Sequence, residues 1–396
     1  MSRKKKPYYP INQLCKVIDC EHKTAPYIEL SEYLVVRTNN VRNGILVLDD
    51  IKYTTKEGFI EWTQRAVPEY GDVLFTREAP AGETCLVPSG LKICLGQRMV
   101  LLRPNKDIIN SHFLSFYLTS KECRREIYQY VIGSTVTRIN IDDILQIKIF
   151  CPSIAEQEKI ASFLGAVDRR LTQLRCKQEL LQTYKRGVMQ KIFSQEIRFK
   201  QDDGEFFPNW QETTLGKVAN FSKGKGLPKE DLVESGNLKC IRYAELYTLY
   251  DEVIDKVFSS TNVEPGNLIL SLENDVIIPA SGESAIEIAK AACVKISGVA
   301  LGGDLNIIKS SINGEFLAYY LNHYRKKDIA RVAQGNTVVH LYSSQLAQIE
   351  IEIPSQEEQK KIVNFLTMIN QKIKAVSQQI DHTEQFKKGL LQKMFV

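Results

Sequence analysis

The chain has 396 residues, of which 43% are hydrophobic and 25% charged, with a formal net charge of +5. That length allows two domains of ordinary size, each able to bury a core, and the composition is that of a soluble globular protein. No apolar run approaches the ~20 residues that span a bilayer, and nine scattered cysteines without a C-x-x-C pair read as reduced core thiols of a cytoplasmic protein.

In chain order, Arg3-Lys4-Lys5-Lys6 resembles a secretory n-region. Tyr8-Tyr9-Pro10 and the polar Asn12, Gln13 and Lys16 deny it an apolar h-region, so a solvated tail is expected. Short strands are expected at 34–38, 72–76, 98–102 and 146–149. A helix is expected over 112–130, burying Phe113, Phe116, Tyr117 and Ile127. A long amphipathic helix follows, and Asp202-Asp203-Gly204 with Pro208-Asn209 forms a turn-rich connection. Strands at 241–243, 276–278 and 305–308 and a helix over 316–330 come next, and a second long helix closes the chain. The segments are therefore 1–152, 153–200, 201–353 and 354–396.

The two long segments are copies of one another. Residues 147–193 align without a gap to residues 349–395 at an offset of 202, and fifteen of the 47 aligned positions are identical. The identities include Pro152/Pro354, Gln157/Gln359, Phe163/Phe365, Gly187/Gly389 and Gln190-Lys191/Gln392-Lys393. Fainter echoes precede them: Asp72-Val73-Leu74-Phe75 with Asp275-Val276-Ile277-Ile278, and Gly133-Ser134-Thr135-Val136 with Gly335-Asn336-Thr337-Val338. A scaffold kept while its loops diverge is the pattern of paired binding domains with different specificities.

Within the long segments, apolar residues recur at alternating steps of four and three. They are Ile160, Leu164, Val167, Leu171, Leu174, Leu181, Val188 and Ile192, then Ile362, Leu366, Ile369, Ile373, Val376, Ile380, Leu390 and Met394. That is the a/d seam of a coiled coil, interrupted by Gln178 and Lys185 in one copy and by Thr383 and Lys387 in the other. Ser153 with Glu156 and Ser355 with Glu358 form S-x-x-E capping boxes. About 38 helical residues make a rod of roughly 57 Å, and Gly187 and Gly389 are positions where it could bend or break. Two matched rods packed antiparallel predict an α+β, pseudo-two-fold molecule with two β-rich domains joined by the helices.

The charge is uneven. Residues 1–150 carry 21 Lys/Arg against 17 Asp/Glu, whereas residues 201–353 carry 14 against 21. A nucleic-acid partner must then be met by local patches, or with the help of a basic subunit. Catalytic motifs are missing: no Pro-Pro dipeptide for an amino-methyltransferase loop, no phosphate loop, no nucleophile elbow, no H-E-x-x-H helix and no metal-spaced histidines. Phe221-Ser222-Lys223-Gly224-Lys225-Gly226 comes nearest to an F-x-G-x-G cofactor loop, with its first glycine one place late.

Taken together, the P-S-x-x-E-Q-x-K-I-x-x-F-L starts, the closing K-x-G-x-x-Q-K-x-F, the G-D-V-L strand and the G-[SN]-T-V loop resemble the specificity subunits of type I restriction–modification systems. The resemblance covers essentially the whole chain. It implies two target-recognition domains that each read half of a split double-stranded DNA target, with helices that set the spacer. It further implies two docked modification subunits for adenine-N6 methylation, and restriction/translocase subunits for cleavage. S-adenosylmethionine, ATP and Mg belong to those partners, and no cofactor, metal or membrane is expected for this chain.

DNA contacts are expected where matching strands end in donors. Arg37, Thr38 and Asn39 have Arg242 and Tyr243 as counterparts, and arginine can bond guanine in a bidentate way. Arg77 follows the G-D-V-L strand, and its counterpart region lacks an arginine. Ser134, Thr135 and Arg138 pair with Asn336, Thr337 and His340 in the loop before the last strand, where hydroxyl, amide and guanidinium groups suit phosphates and base edges. Lys223 and Lys225 are further phosphate candidates. The competing reading is a coiled-coil adaptor with two protein- or peptide-binding domains, favoured by the acidic second region.

Overall fold

The computed structural model describes residues 7–20, 25–335 and 338–395. By internal contacts the chain forms two units, residues 1–176 with 377–396 and residues 177–376. The Arg3–Lys6 run lies outside the described residues.

The first unit is organised by a four-stranded antiparallel sheet in the order Cys15–Asp19, Met99–Pro104, Val73–Thr76, Thr84–Leu86. Side chains alternate across a strand, so the fully buried Val73–Thr76 feeds two cores. Val73 and Phe75 join Val100, Leu102, Phe113, Leu114 and Tyr117 on one face. Leu74 and Leu101 join Leu34, Val36 and Ile93 on the other. The second face is closed by a three-stranded sheet in which Tyr33–Val36 lies between Lys52–Thr54 and its parallel neighbour Lys92–Leu95.

The second unit repeats the scheme. Its strands Ala219–Lys223, Leu305–Ser310 and Asp275–Pro279 pair as their counterparts do. Val276, Ile278 and Ile308 pack with Phe316, Leu317 and Tyr320, while Ile277 and Ile307 pack with Ile241, Leu246 and Leu301. The β-rich α+β class expected from sequence is the one observed.

Each expected helix beside the sheet is split in two. Residues 112–130 form Ser111–Thr119 and Lys121–Tyr128, because Ser120 is extended and its hydroxyl accepts the Cys123 amide at 3.2 Å. The second copy gives Gly314–His323 and Lys326–Val332. The strand expected at 241–243 ends at Ile241, where Arg242 is the N-cap of the short helix Tyr243–Thr248.

The long helices are Ile154–Phe193, 40 residues, and Gln356–Met394, 39 residues. Neither stops at Gly187 or Gly389, so the break expected there is not found. Ser153 and Ser355 cap them by accepting the amides of Glu156 (3.4 Å) and Glu358 (3.3 Å). The repeated glutamine does more than the box suggested. Gln157 is buried, accepts the Asn110 amide at 2.8 Å and donates to the Pro152 carbonyl at 2.8 Å. Gln359 does the same with Asn313 (2.8 Å) and Pro354 (2.9 Å). Asn110 and Asn313 are themselves the N-caps of the sheet-side helices. One amide thus ties each long helix to the sheet unit at its start.

Candidate nucleic-acid interface

Four loops of the first unit share one edge. The Gly96 amide donates to Val36 O (2.8 Å), the Arg77 amide to Arg98 O (2.8 Å) and the Ala79 amide to Thr137 O (3.1 Å). Thr38 Oγ1 reaches Ala79 O at 3.5 Å, and Arg77 Nε reaches Ile139 O at 3.3 Å. Arg37, Thr38, Asn39, Arg77, Ser134, Thr135 and Arg138 are therefore assembled from distant parts of the sequence.

The last loop is pinched by two Ile132–Arg138 backbone hydrogen bonds of 2.9 Å. Gly133 sits at φ +91°, where an added Cβ would lie 2.4 Å from Val136 O. Only glycine fits, and the turn leaves Ser134, Thr135 and Arg138 exposed. The second unit reproduces the loop with Gln334–His340 bonds of 2.9 and 2.7 Å and with Gly335 at φ +125°. Asn336 and Thr337 lie outside the described residues.

The cations on this edge differ in freedom. Arg37 donates from Nη2 to Asp50 at 2.7 Å, and Lys52 and Arg37 hold the Asp50 carboxyl at about 2. Asn39, exposed, leans on the same carboxylate at 3.4 Å. Arg98 is paired with Glu78 at 3.1 Å, and Arg77 is half-buried. Arg138 is exposed and, among the described residues, has no ion-pair partner.

The same register in the second unit identifies the counterparts. The Gly302 amide donates to Ile241 O (2.9 Å), the Ala280 amide to Asp304 O (2.8 Å) and the Leu341 amide to Ala280 O (3.0 Å). Arg242 thus corresponds to Arg37, Ala280 to Arg77, Asp304 to Arg98 and His340 to Arg138. The Arg242 amide is capped by Glu245 Oε2 (2.7 Å) and its Nε donates to Leu227 O (3.0 Å). Tyr243 is half-buried, edge-on to Tyr247. Lys223, Lys225 and His340 are exposed, and Gly303 bonds Gly226 O at 3.0 Å, which brings the lysine loop to the same edge. Sequence reasoning missed the pair Arg98 and Asp304; the Leu95-Gly96 and Leu301-Gly302 match would have found it.

The seam residues are buried at Ile160, Leu164, Val167, Leu171, Leu174, Ile362, Leu366, Ile369, Val376 and Ile380, and half-buried at Leu181 and Ile373. In the first unit Lys387 pairs with Asp168 and Arg175 with Glu384, both at 2.6 Å, so the two helical stretches run antiparallel there. In the second unit Lys185 and Asn370 both reach Tyr319, and Arg198 reaches Glu358, which again is antiparallel. The repeated lysine of the seam has one role in both copies. Lys387 lies 5.7 Å from the Phe116 ring and Lys185 lies 5.3 Å from the Tyr319 ring, each a cation held over the sheet-side helix. Lys185 and His323 also flank Glu252; burial opposes ionisation of that carboxyl, yet the two bases keep it at about 2.

All nine cysteines are free thiols, seven of them buried. Among the described residues no cluster of His, Cys, Asp and Glu could hold a metal ion, and no helix is long and apolar enough to cross a membrane.

A family model for the type I restriction modification DNA specificity domain matches residues 5–182 and again residues 208–385. The chain is similar to the type I restriction enzyme MjaVIII specificity subunit of Methanocaldococcus jannaschii, 24% identical over 374 residues and covering 91% of this chain and 84% of that protein. It is also similar to the StySPI specificity subunit of Salmonella potsdam, 20% identical over 371 residues, 89% of this chain and 78% of that protein. Among solved structures, the type I S subunit from M. genitalium shares the fold, with a TM-score of 0.59 at 17% identity, covering 100% of this chain and 98% of its own.

Proposed function

Because the chain belongs to the family of type I restriction–modification DNA specificity subunits, which recognise DNA and catalyse nothing themselves, we propose that it reads a target in two halves, one through each repeat. The observation that carries this reading is the contrast at the shared loop edge. Backbone-determining positions are kept (Gly96 and Gly302, Gly133 and Gly335), while the side chains projecting from the same register change. Arg77, Arg98 and Arg138 stand opposite Ala280, Asp304 and His340. Identical frames with different donors and acceptors suit two different half-sites.

The first unit offers Arg138, Ser134, Thr135, Arg77 and the Arg37-Thr38-Asn39 turn; the second offers Lys223, Lys225, Arg242, Tyr243 and His340, with Asn336 and Thr337. The acidic second unit would meet phosphates through its lysine loop. In this reading the long helices set the spacer and receive two modification subunits, with restriction/translocase subunits joining them for cleavage. S-adenosylmethionine, ATP and Mg would be used by those partners.

The test is a salt titration of duplex binding by the full assembly. Arg138→Ala in one unit and Lys225→Ala in the other are each expected to weaken binding and to reduce the slope of log K against log salt by about 0.9 per lost phosphate contact. Unchanged affinity and slope in both variants would remove these loops from the interface.

A further inference from the structure

Of the fifteen identities between the long segments, most are explained inside the chain. They are the core isoleucines Ile147 and Ile149, Pro152 whose carbonyl takes the latch, the capping Ser153, the latching Gln157, the seam residues Ile160, Leu164 and Lys185, and the terminal Phe193, each with its copy. Two pairs are exposed in both copies, Gln190 with Gln392 and Lys191 with Lys393, and beside them stand the repeated glycines, Gly187 exposed and Gly389 half-buried. At spacings of three and four they occupy one helix face. An exposed aromatic precedes each glycine by three residues, Tyr184 at 52% exposure and Phe386 at 54%.

The glycines have no internal reason to be glycine. Both lie in regular helix, and a Cβ added to either meets nothing within 4 Å. Glycine in a helix interior is less stable than alanine. A residue that costs stability, has open space above it and stands at the same place in both copies is accounted for by something outside the chain that approaches closely. Its own stretch of helix has charge of one sign: residues 183–193 and 385–395 hold basic residues and no acidic one. Beside Gln392 a groove of about 470 Å³ is lined by Lys121, Glu122, Arg125, Leu391 and Phe395.

We infer that Tyr184, Gly187, Gln190 and Lys191, and again Phe386, Gly389, Gln392 and Lys393, are two copies of one docking footprint. Each receives an acidic segment of one modification subunit, packed against the glycine and paired with the lysine. The inference rests on the reading that two modification subunits join this chain, and it names where they sit.

Native mass spectrometry of the full chain with the modification subunit tests it. The unaltered chain is expected to take two subunits, Gly187→Leu one, and Gly187→Leu with Gly389→Leu none. The double alanine variant Gly187→Ala/Gly389→Ala should melt at the same temperature or higher while binding more weakly, a pairing of signs that a structural role would not give. Charge reversal by Lys191→Glu/Lys393→Glu should cut affinity by about tenfold or more without lowering the melting temperature. Folded double variants that still take two subunits with unaltered affinity would overturn the footprint. An unaltered chain that takes none would overturn the underlying reading instead.

Discussion

Replacing Phe395 by alanine is expected to destabilise the unit made mostly of the N-terminal half by about 3–5 kcal/mol, the usual cost of emptying a buried aromatic site. The Phe395 ring is 1% exposed, with centroids 5.8 Å from Phe113 and 5.3 Å from Tyr117, both edge-on, inside the core that holds Val73, Phe75 and Leu102. The end of the second long helix is thus core material for strands more than 290 residues away in sequence. Hydrogen exchange resolved by peptide checks the assignment: protection should fall in Val73–Thr76 and Met99–Pro104 and hold in Asp275–Pro279 and Leu305–Ser310. Loss in the second pair alone would sink it.

A second large effect is expected at Glu358, with its repeat partner as the control. The Glu358 carboxylate is fully buried and accepts Arg198 Nε and Nη2, both at 2.8 Å, and Trp210 Nε1 at 3.2 Å. Alanine there leaves the Arg198 guanidinium, 13% exposed, without its counter-ion; breaking a buried pair in this way costs about 3–5 kcal/mol. Glu156, identical in the sequence repeat, is exposed, and its replacement should stay within about 0.5 kcal/mol. Urea unfolding of the two variants measures the contrast. Equal losses would show that both residues serve only as caps.

That pair also marks what could be read from the sequence. The repeat, the capping serines and the seam were legible because they are local and periodic, and the helices begin directly after the capping serines and end within a residue of the repeat's C-terminal boundaries. The Glu358–Arg198 pair joins residues 160 apart, and no local pattern announces it. The same holds for Asp50, which pairs with Arg37, a residue expected from sequence to contact DNA. The helix splits after Thr119 and His323 escaped because residues 112–130 and 316–330 are apolar-periodic on both sides of the break, so a cap at Ser120 was outweighed by the pattern. The loop edge was only half visible: its residues could be proposed one by one, but their convergence is a matter of strand register.

The central claim is that each repeat reads its own half of one split target. The most direct measurement is methylome sequencing of cells carrying the assembly with either the unaltered chain or a variant whose 132–138 loop is replaced. The account predicts a methylated sequence in two parts with an unspecified spacer, of which the variant alters one part and leaves the other part and the spacer length unchanged. A continuous target, or simultaneous change in both parts, would contradict it.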